Sequence, residues 1–169
     1  MTNVLLAIDG PIYGKTIEDF VLNYCWVPGT SFKLVYAMEP LRGVDAWPEV
    51  LIDPGYRAKE KKYLEEVAAK IRKALPDVLT SCKICEGFAK DEIIDEAIRW
   101  PADMIVMGSH GRRGIQRFLM GSVSLAVTSQ APCTVVIIRL PKTVEQASEK
   151  AVAALLANPL KTPTNLIKS

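Results

Sequence analysis

The stretch Ala102-Asp103-Met104-Ile105-Val106-Met107-Gly108-Ser109-His110-Gly111 decides how the whole chain is read. Met104 to Met107 is apolar without a break, so it predicts a strand buried on both faces rather than one half in water. Glycine follows at once. Further on, Gly121-Ser122 opens a short helical stripe of Val123, Ala126 and Val127. Moving outward, two more apolar runs of the same fully buried kind stand at Val4–Ile8 and Val135–Ile138, and two mixed strand-like segments at Phe32–Met38 and Val78–Cys85. Helical stripes fill the gaps: Ile17, Phe20, Val21 and Tyr24; then Leu64, Val67, Ala68, Ile71 and Leu75; then Ile93, Ile94, Ala97 and Ile98. Breakers fall at the joins, at Pro28-Gly29, Pro76-Asp77, Trp100-Pro101 and Ala131-Pro132.

Strict strand–helix alternation with buried strands predicts an α/β fold, a doubly wound five-stranded parallel sheet with helices on both faces. Right-handed crossovers leave only a few strand orders for such a sheet. Ligands of these sheets bind outside the carboxyl ends of the strands, where the winding reverses. The residues to watch are therefore Asp9-Gly10 and Gly108-Ser109-His110-Gly111.

The chain has 169 residues, a length suited to one main domain, read as 1–140, followed by a helical extension and fraying tail over 141–169. With 49% hydrophobic residues and a net charge of +2, the main domain is expected to fold, and nucleic acid is not an expected partner. Residues 139–169 carry five basic and two acidic groups, so the rest of the chain is slightly acidic at −1. No apolar run approaches the roughly 18 residues of a membrane span. Met1-Thr2-Asn3 has no basic region to begin a secretory signal, so a cytoplasmic location is expected. One histidine leaves little room for zinc or multi-histidine chemistry, and no metal site is predicted. Residues 39–54, rich in proline and placed after the second strand, read as a long connection that serves as a lid or as a packed contact loop.

Cys82-Lys83-Ile84-Cys85 has the redox spacing, but it lies in a predicted strand. Side chains three apart on a strand point to opposite faces, so these two thiols are expected to stay structural and reduced.

The loop after Met107 carries the chemistry. Gly108 and Gly111 remove side chains where a backbone turns sharply or approaches a ligand. Gly121-Ser122-Val123 offers backbone N–H groups at a helix N-terminus, and Arg112, Arg113 and Arg117 add positive charge. This composition reads as a phosphate-binding loop. A ligand-free glycine-rich connection with Ser122 as an ordinary N-cap is the other reading that spacing alone allows.

Gly108, two residues, Gly111, nine residues, then Gly121-Ser122 spells G-x2-G-x9-G-[ST]. Together with Leu6-Ala7-Ile8-Asp9-Gly10, Cys85-Glu86-Gly87 and Ala131-Pro132-Cys133-Thr134-Val135-Val136, this closely resembles the ATP-binding universal stress proteins from Val4 to Arg139. The resemblance implies strand order 3-2-1-4-5 and kinship with adenine-nucleotide α hydrolases. It implies ATP as ligand, with or without Mg2+. Ala7 and Asp9 would lie in the nucleotide pocket, and the backbone of Ala37 would border adenine. Met107, Gly108 and Ser109 would meet the ribose side, while Gly111, Arg112, Gly121, Ser122 and Val123 would cradle phosphates. Homodimers would form through the last strand, Thr134–Ile138, and an unidentified protein partner would read the nucleotide state in a stress response. Pro11 departs from the Ser or Thr common after Asp-Gly, which removes one polar contact near the pocket.

Catalysis has less support. The chain has no G-x-x-x-x-G-K-[ST], and one carboxylate, Asp9, is not a catalytic constellation. No catalytic residue is assigned. A nucleotide-dependent sensor or switch is the expected function, with a slow ATPase, at most weakly hydrolytic, or a nucleotide-free scaffold as alternatives.

Overall fold

Val4, Leu5, Leu6 and Ala7 are all buried, as an apolar run without polar alternation requires, and they form the central strand β1 (Asn3–Ala7). In a computed structural model of the chain, residues 2–39, 54–109 and 120–140 are described. The elements after β1 are α1 (Gly10–Asn23), β2 (Ser31–Met38), α2 (Pro54–Ala74), β3 (Leu79–Glu86), α3 (Ala89–Arg99), β4 (Met104–Gly108), α4 (Ser122–Gln130) and β5 (Thr134–Ile138). All strand pairs are parallel, in the order β3-β2-β1-β4-β5. The doubly wound sheet and its strand order are as expected. Residues 1–139 form one compact unit.

The two faces of β1 separate the core into two layers. Val4, Leu6 and Ile8 pack with Ile17 and Val21 of α1 and Leu64, Val67 and Ile71 of α2. Leu5 and Ala7 face the other way, toward Ile93 and Ala97 of α3 and Val127 of α4. Winding runs outward from β1 through β2 to β3, then returns to β4 on the other side of β1. The reversal therefore lies between β1 and β4, where Ala7 is in register with Met107.

Three local expectations need correction. β5 was expected to be fully buried, but it is an edge strand whose residues are at most partly covered. An apolar run does not distinguish an edge from a centre. β2 is mixed in burial, as expected, with Lys33 at one of its partly buried positions, and it lies between β1 and β3. The lysine is accommodated by Glu96 of α3, whose carboxylate accepts from Lys33 Nζ at 2.9 Å and also from Lys83. Tyr24 falls just past the end of α1 and is half exposed, so the stripe through Ile17 continues toward Tyr13 instead. Ile98 of the third stripe is exposed, because the α3 layer closes over Ile93 and Ala97.

Cys82 packs on the α1/α2 side of β3, while Cys85 is buried among charged groups of α3. They lie on opposite faces, as strand geometry dictates, and all four cysteines are free. Burial pushes both thiols up to about 11, well away from redox reactivity.

Candidate functional site at the strand reversal

Gly10 has φ +79°, a left-handed conformation that glycine tolerates best, and it turns the chain from β1 directly into α1. Asp9 is the residue before α1, yet its carboxylate makes no capping bond to that helix. Ile8 N–H donates to Val35 O at 2.9 Å, so Asp9 leaves the sheet alongside the carboxyl end of β2.

On the other side of β1, β4 ends at Gly108, whose missing side chain admits the ring of Tyr13. A methyl group placed on Gly108 would come within 2.3 Å of Tyr13 Cδ1 and 2.7 Å of Cγ. The close approach that this glycine allows is thus to an aromatic ring of α1. Gly14, in the next position of α1, leaves room in the same way for the hydroxyl of Tyr63 from α2.

Ser109, 5% exposed, ties three elements together. Its N–H donates to Ile138 O of β5 at 2.8 Å, and its carbonyl accepts from Gly121 N–H at 2.9 Å. The buried hydroxyl of Ser124 lies 2.8 Å from Ser109 O and 2.9 Å from Gly121 O, sharing its single proton between them. These bonds close the base of the 110–119 segment and hold the start of α4 at the end of β4.

Gly121, not Ser122, is the N-cap of α4, and it supplies no side-chain bond. Leu125 N–H makes the first helical bond, to Gly121 O. The N–H groups of Ser122, Val123 and Ser124 therefore have no acceptor within the helix, and no acidic residue stands in its first turn. An uncapped helix start with no competing carboxylate is suited to an anion.

A further polar group joins α2 to the sheet. Tyr36, near the end of β2, meets Tyr56 hydroxyl to hydroxyl at 2.9 Å. Burial raises Tyr56 above the usual phenol range, with the charges of Glu60 and Asp9 adding to the effect. Glu60, one turn further along α2, is also raised by burial; Lys59 opposes this and Asp9 reinforces it.

Asp9, Gly108, Ser109, Gly121, Ser122 and Val123 thus gather around the β1–β4 reversal. Ala7 and Met107 end adjacent strands there, but their side chains are buried on the α3/α4 side, which leaves their backbone as the part near the crevice. Ala37 lies two strands away from Gly108, beside Cys85. His110, Gly111 and Arg112 lie outside the described residues, as do Arg113, Arg117, most of the 39–54 connection and the tail from 141. Sequence reasoning missed Tyr13, Tyr56, Glu60 and Ser124. Tyr13 stands four residues before buried Ile17, and Glu60 four before buried Leu64, so helical spacing carried a signal for both.

Among the described residues, no helix is long and apolar enough to cross a membrane. A sequence profile described as the Universal stress protein family matches residues 1–139. The chain is similar to a universal stress protein of Thermus aquaticus, 31% identical over 140 residues, covering 80% of this chain and 97% of that one. It is also similar to universal stress protein MJ0531 of Methanocaldococcus jannaschii, 36% identical over 96 residues. That match covers 56% of this chain and about half, 51%, of the relative. The fold resembles the structure of hypothetical protein MJ0577, with TM-score 0.69, 19% identity and coverage of 83% and 96%. It also resembles a universal stress protein in complex with cAMP, with TM-score 0.58, 18% identity and coverage of 83% and 98%. A third similar structure is the Archaeoglobus fulgidus universal stress protein in complex with dAMP, with TM-score 0.55, 23% identity and coverage of 82% and 98%. With a family match running through every strand of the sheet, the chain belongs to the universal stress protein family.

Proposed function

We propose that the protein binds an adenine nucleotide, ATP with or without Mg2+, at the β1–β4 reversal. There it acts as a nucleotide-dependent sensor or switch in a cytoplasmic stress response. One observation carries the reading: the Ser109–Gly121 closure sets an uncapped, acid-free α4 N-terminus at the end of β4, the strand paired with β1, which Asp9 follows. The residues present fit the ligand. Ser122 and Val123 N–H groups suit phosphate oxygens, and Gly121 adds no side chain to obstruct them. Gly111 and Arg112 would complete the phosphate side, and the backbone of Ala37 would border the base. The cAMP and dAMP complexes of similar folds support the ligand class.

The switch would work through the glycine segment between Ser109 and Gly121. Bound phosphates would favour one arrangement of that segment, and an unidentified protein partner would recognise it. Homodimerisation through Thr134–Ile138 belongs to the same proposal, because β5 is a partly exposed apolar edge that a second copy would cover. The reading is tested by mass spectrometry of small molecules released on denaturing the purified protein, followed by calorimetry with ATP. An adenine nucleotide among the released molecules and saturable binding heat are expected. Absence of both would overturn the proposal.

A further inference from the structure

β3 forms the edge of the sheet opposite β5, and among the described residues no strand pairs with its outer side. Two hydrogen bonds fix which of its backbone groups face outward. Leu79 N–H donates to Thr30 O at 3.0 Å, and Gly87 N–H, just past the strand, donates to Met38 O at 3.1 Å, so the odd-numbered positions bond toward β2. Backbone and side-chain directions both alternate with a period of two along a strand. Thr80, Cys82, Ile84 and Glu86 therefore turn their N–H and C=O groups outward, and their side chains share one face, the α2 side, where Cys82 and Ile84 pack on the core. α2 pins both ends of this row: Arg57 pairs with Glu86, and Arg72 donates to the Thr80 hydroxyl. Between the two pins lies a cavity of about 250 Å3, lined by Arg57, Lys61, Leu64, Cys82, Lys83 and Ile84 and by no acidic residue. Arg57 is engaged by Glu86 and Lys83 by Glu96. Lys61, exposed on the turn between the pins, joins no ion pair among the described residues.

We propose that the outer edge of β3 at Cys82–Ile84 is a docking site for an extended, acidic segment of a partner protein, which joins the sheet as a sixth strand. The outward N–H and C=O groups of Cys82 and Ile84 supply its main-chain hydrogen bonds, and the cavity takes one of its side chains. At about 250 Å3 the cavity is smaller than the roughly 300 Å3 at which small-molecule pockets begin, so it suits a side chain better than a free ligand. Leu64 and Ile84 make an apolar floor for that side chain. The next side chain on the same face of the added strand, two positions away, falls beside Arg57 and Lys61, where a carboxylate is favoured. Glu65, one turn beyond Lys61, is close enough to act on the Cys82 thiol, which leaves the acidic contact to the Arg57–Lys61 end. The same cations disfavour a second copy of this chain, because two β3 edges brought together would set lysine against lysine. An acidic strand meets the opposite sign and is accepted. This site stands apart from the β1–β4 reversal and does not depend on nucleotide.

The test uses the full-length chain and a fluorescein-labelled seven-residue peptide with valine at its centre, glutamate two positions to either side and threonine elsewhere. Fluorescence anisotropy should show saturable binding that weakens about fivefold in Lys61→Glu and is lost when lysine replaces glutamate in the peptide. Lys61 is exposed, so this variant should keep the wild-type melting temperature. Amide hydrogen exchange followed by NMR should show the Cys82 and Ile84 N–H groups slowed by the peptide, with Lys83 and Cys85, already bonded to β2, unchanged. Equal binding of the lysine peptide, or equal affinity in Lys61→Glu, would overturn the acidic identity of the partner. Binding without slower exchange at Cys82 and Ile84 would overturn strand addition. No binding at millimolar peptide would overturn the docking site itself. Slow exchange at those two amides in the chain alone would overturn it as well. It would assign the edge to the chain's own residues, or to a second copy if the slowing grows with protein concentration.

Discussion

The ring of Tyr13 lies against Gly108 so closely that a single methyl group at position 108 would reach within 2.3 Å of Tyr13 Cδ1. This contact joins the first turn of α1 to the last residue of β4 across the strand reversal. It also gives Gly108 a structural reason to be glycine that holds in the absence of any ligand.

Gly108→Ala should therefore destabilise the protein by about 1–3 kcal/mol, the usual cost of forcing extra volume into a packed site. Combining it with Tyr13→Ala should give a double-mutant coupling well away from zero, measured by urea unfolding. Strict additivity would mean that the ring and the glycine do not depend on one another.

Ser124→Ala removes the hydroxyl that bridges Ser109 O and Gly121 O, although Gly121 N–H still satisfies the Ser109 carbonyl. A loss of about 1 kcal/mol in stability is expected. Because the bridge holds the start of α4 in place, ATP affinity should fall as well, whereas a change at exposed Ser129 should leave it unaltered. Calorimetry on the two variants checks the contrast.

Much of this arrangement was legible in the chain before any coordinates. Five strands, four helices and the side of the sheet that carries the ligand follow from apolar runs, helical stripes and proline or glycine breaks. The positions of Asp9 and Gly121 follow from their places at strand and helix ends. Contacts between distant elements were not legible in the same way. Tyr13 meeting Gly108 across 95 positions, or Tyr56 meeting Tyr36, depends on how α1 and α2 settle on the sheet, and periodicity reports only that a residue faces inward. The partner of Lys33 was hidden for a related reason. Glu96, which neutralises that lysine in β2, lies 63 residues away.

That ion pair gives a prediction about acid. Burial acts to raise Glu96, but hydrogen bonds from Lys83 and Lys33 outweigh it, so its carboxyl titrates below the usual value of 4.5. A lowered native value means that the stabilisation is fully present above the ordinary glutamate range and is lost as pH falls through the native value. Melting temperature followed from pH 7 to pH 3 should drop less steeply in Glu96→Gln than in wild type. At pH 7 the variant should be less stable by about 3 kcal/mol, at the low end for a broken buried pair because Lys83 is 39% exposed. Parallel curves for the two proteins would contradict this account.

The thiols provide a separate check. With Cys82 and Cys85 raised to about 11 by burial, only about one thiol in a thousand is ionised at pH 8. Iodoacetamide should modify exposed Cys25 first and leave the β3 pair nearly untouched in the folded protein. Peptide mass mapping over time reads the order directly, and rapid labelling of Cys85 would show that β3 opens more readily than its burial implies.

The central claim is that the α4 N-terminus at Gly121 receives the phosphates of an adenine nucleotide. Isothermal calorimetry of ATP with wild type and Gly121→Val tests it most directly, with melting temperature as the control for folding. Saturable heat in wild type and at least a tenfold loss of affinity in a folded Gly121→Val are the predicted results. Equal affinity in the two proteins, or no heat in wild type at millimolar ATP, would contradict the claim.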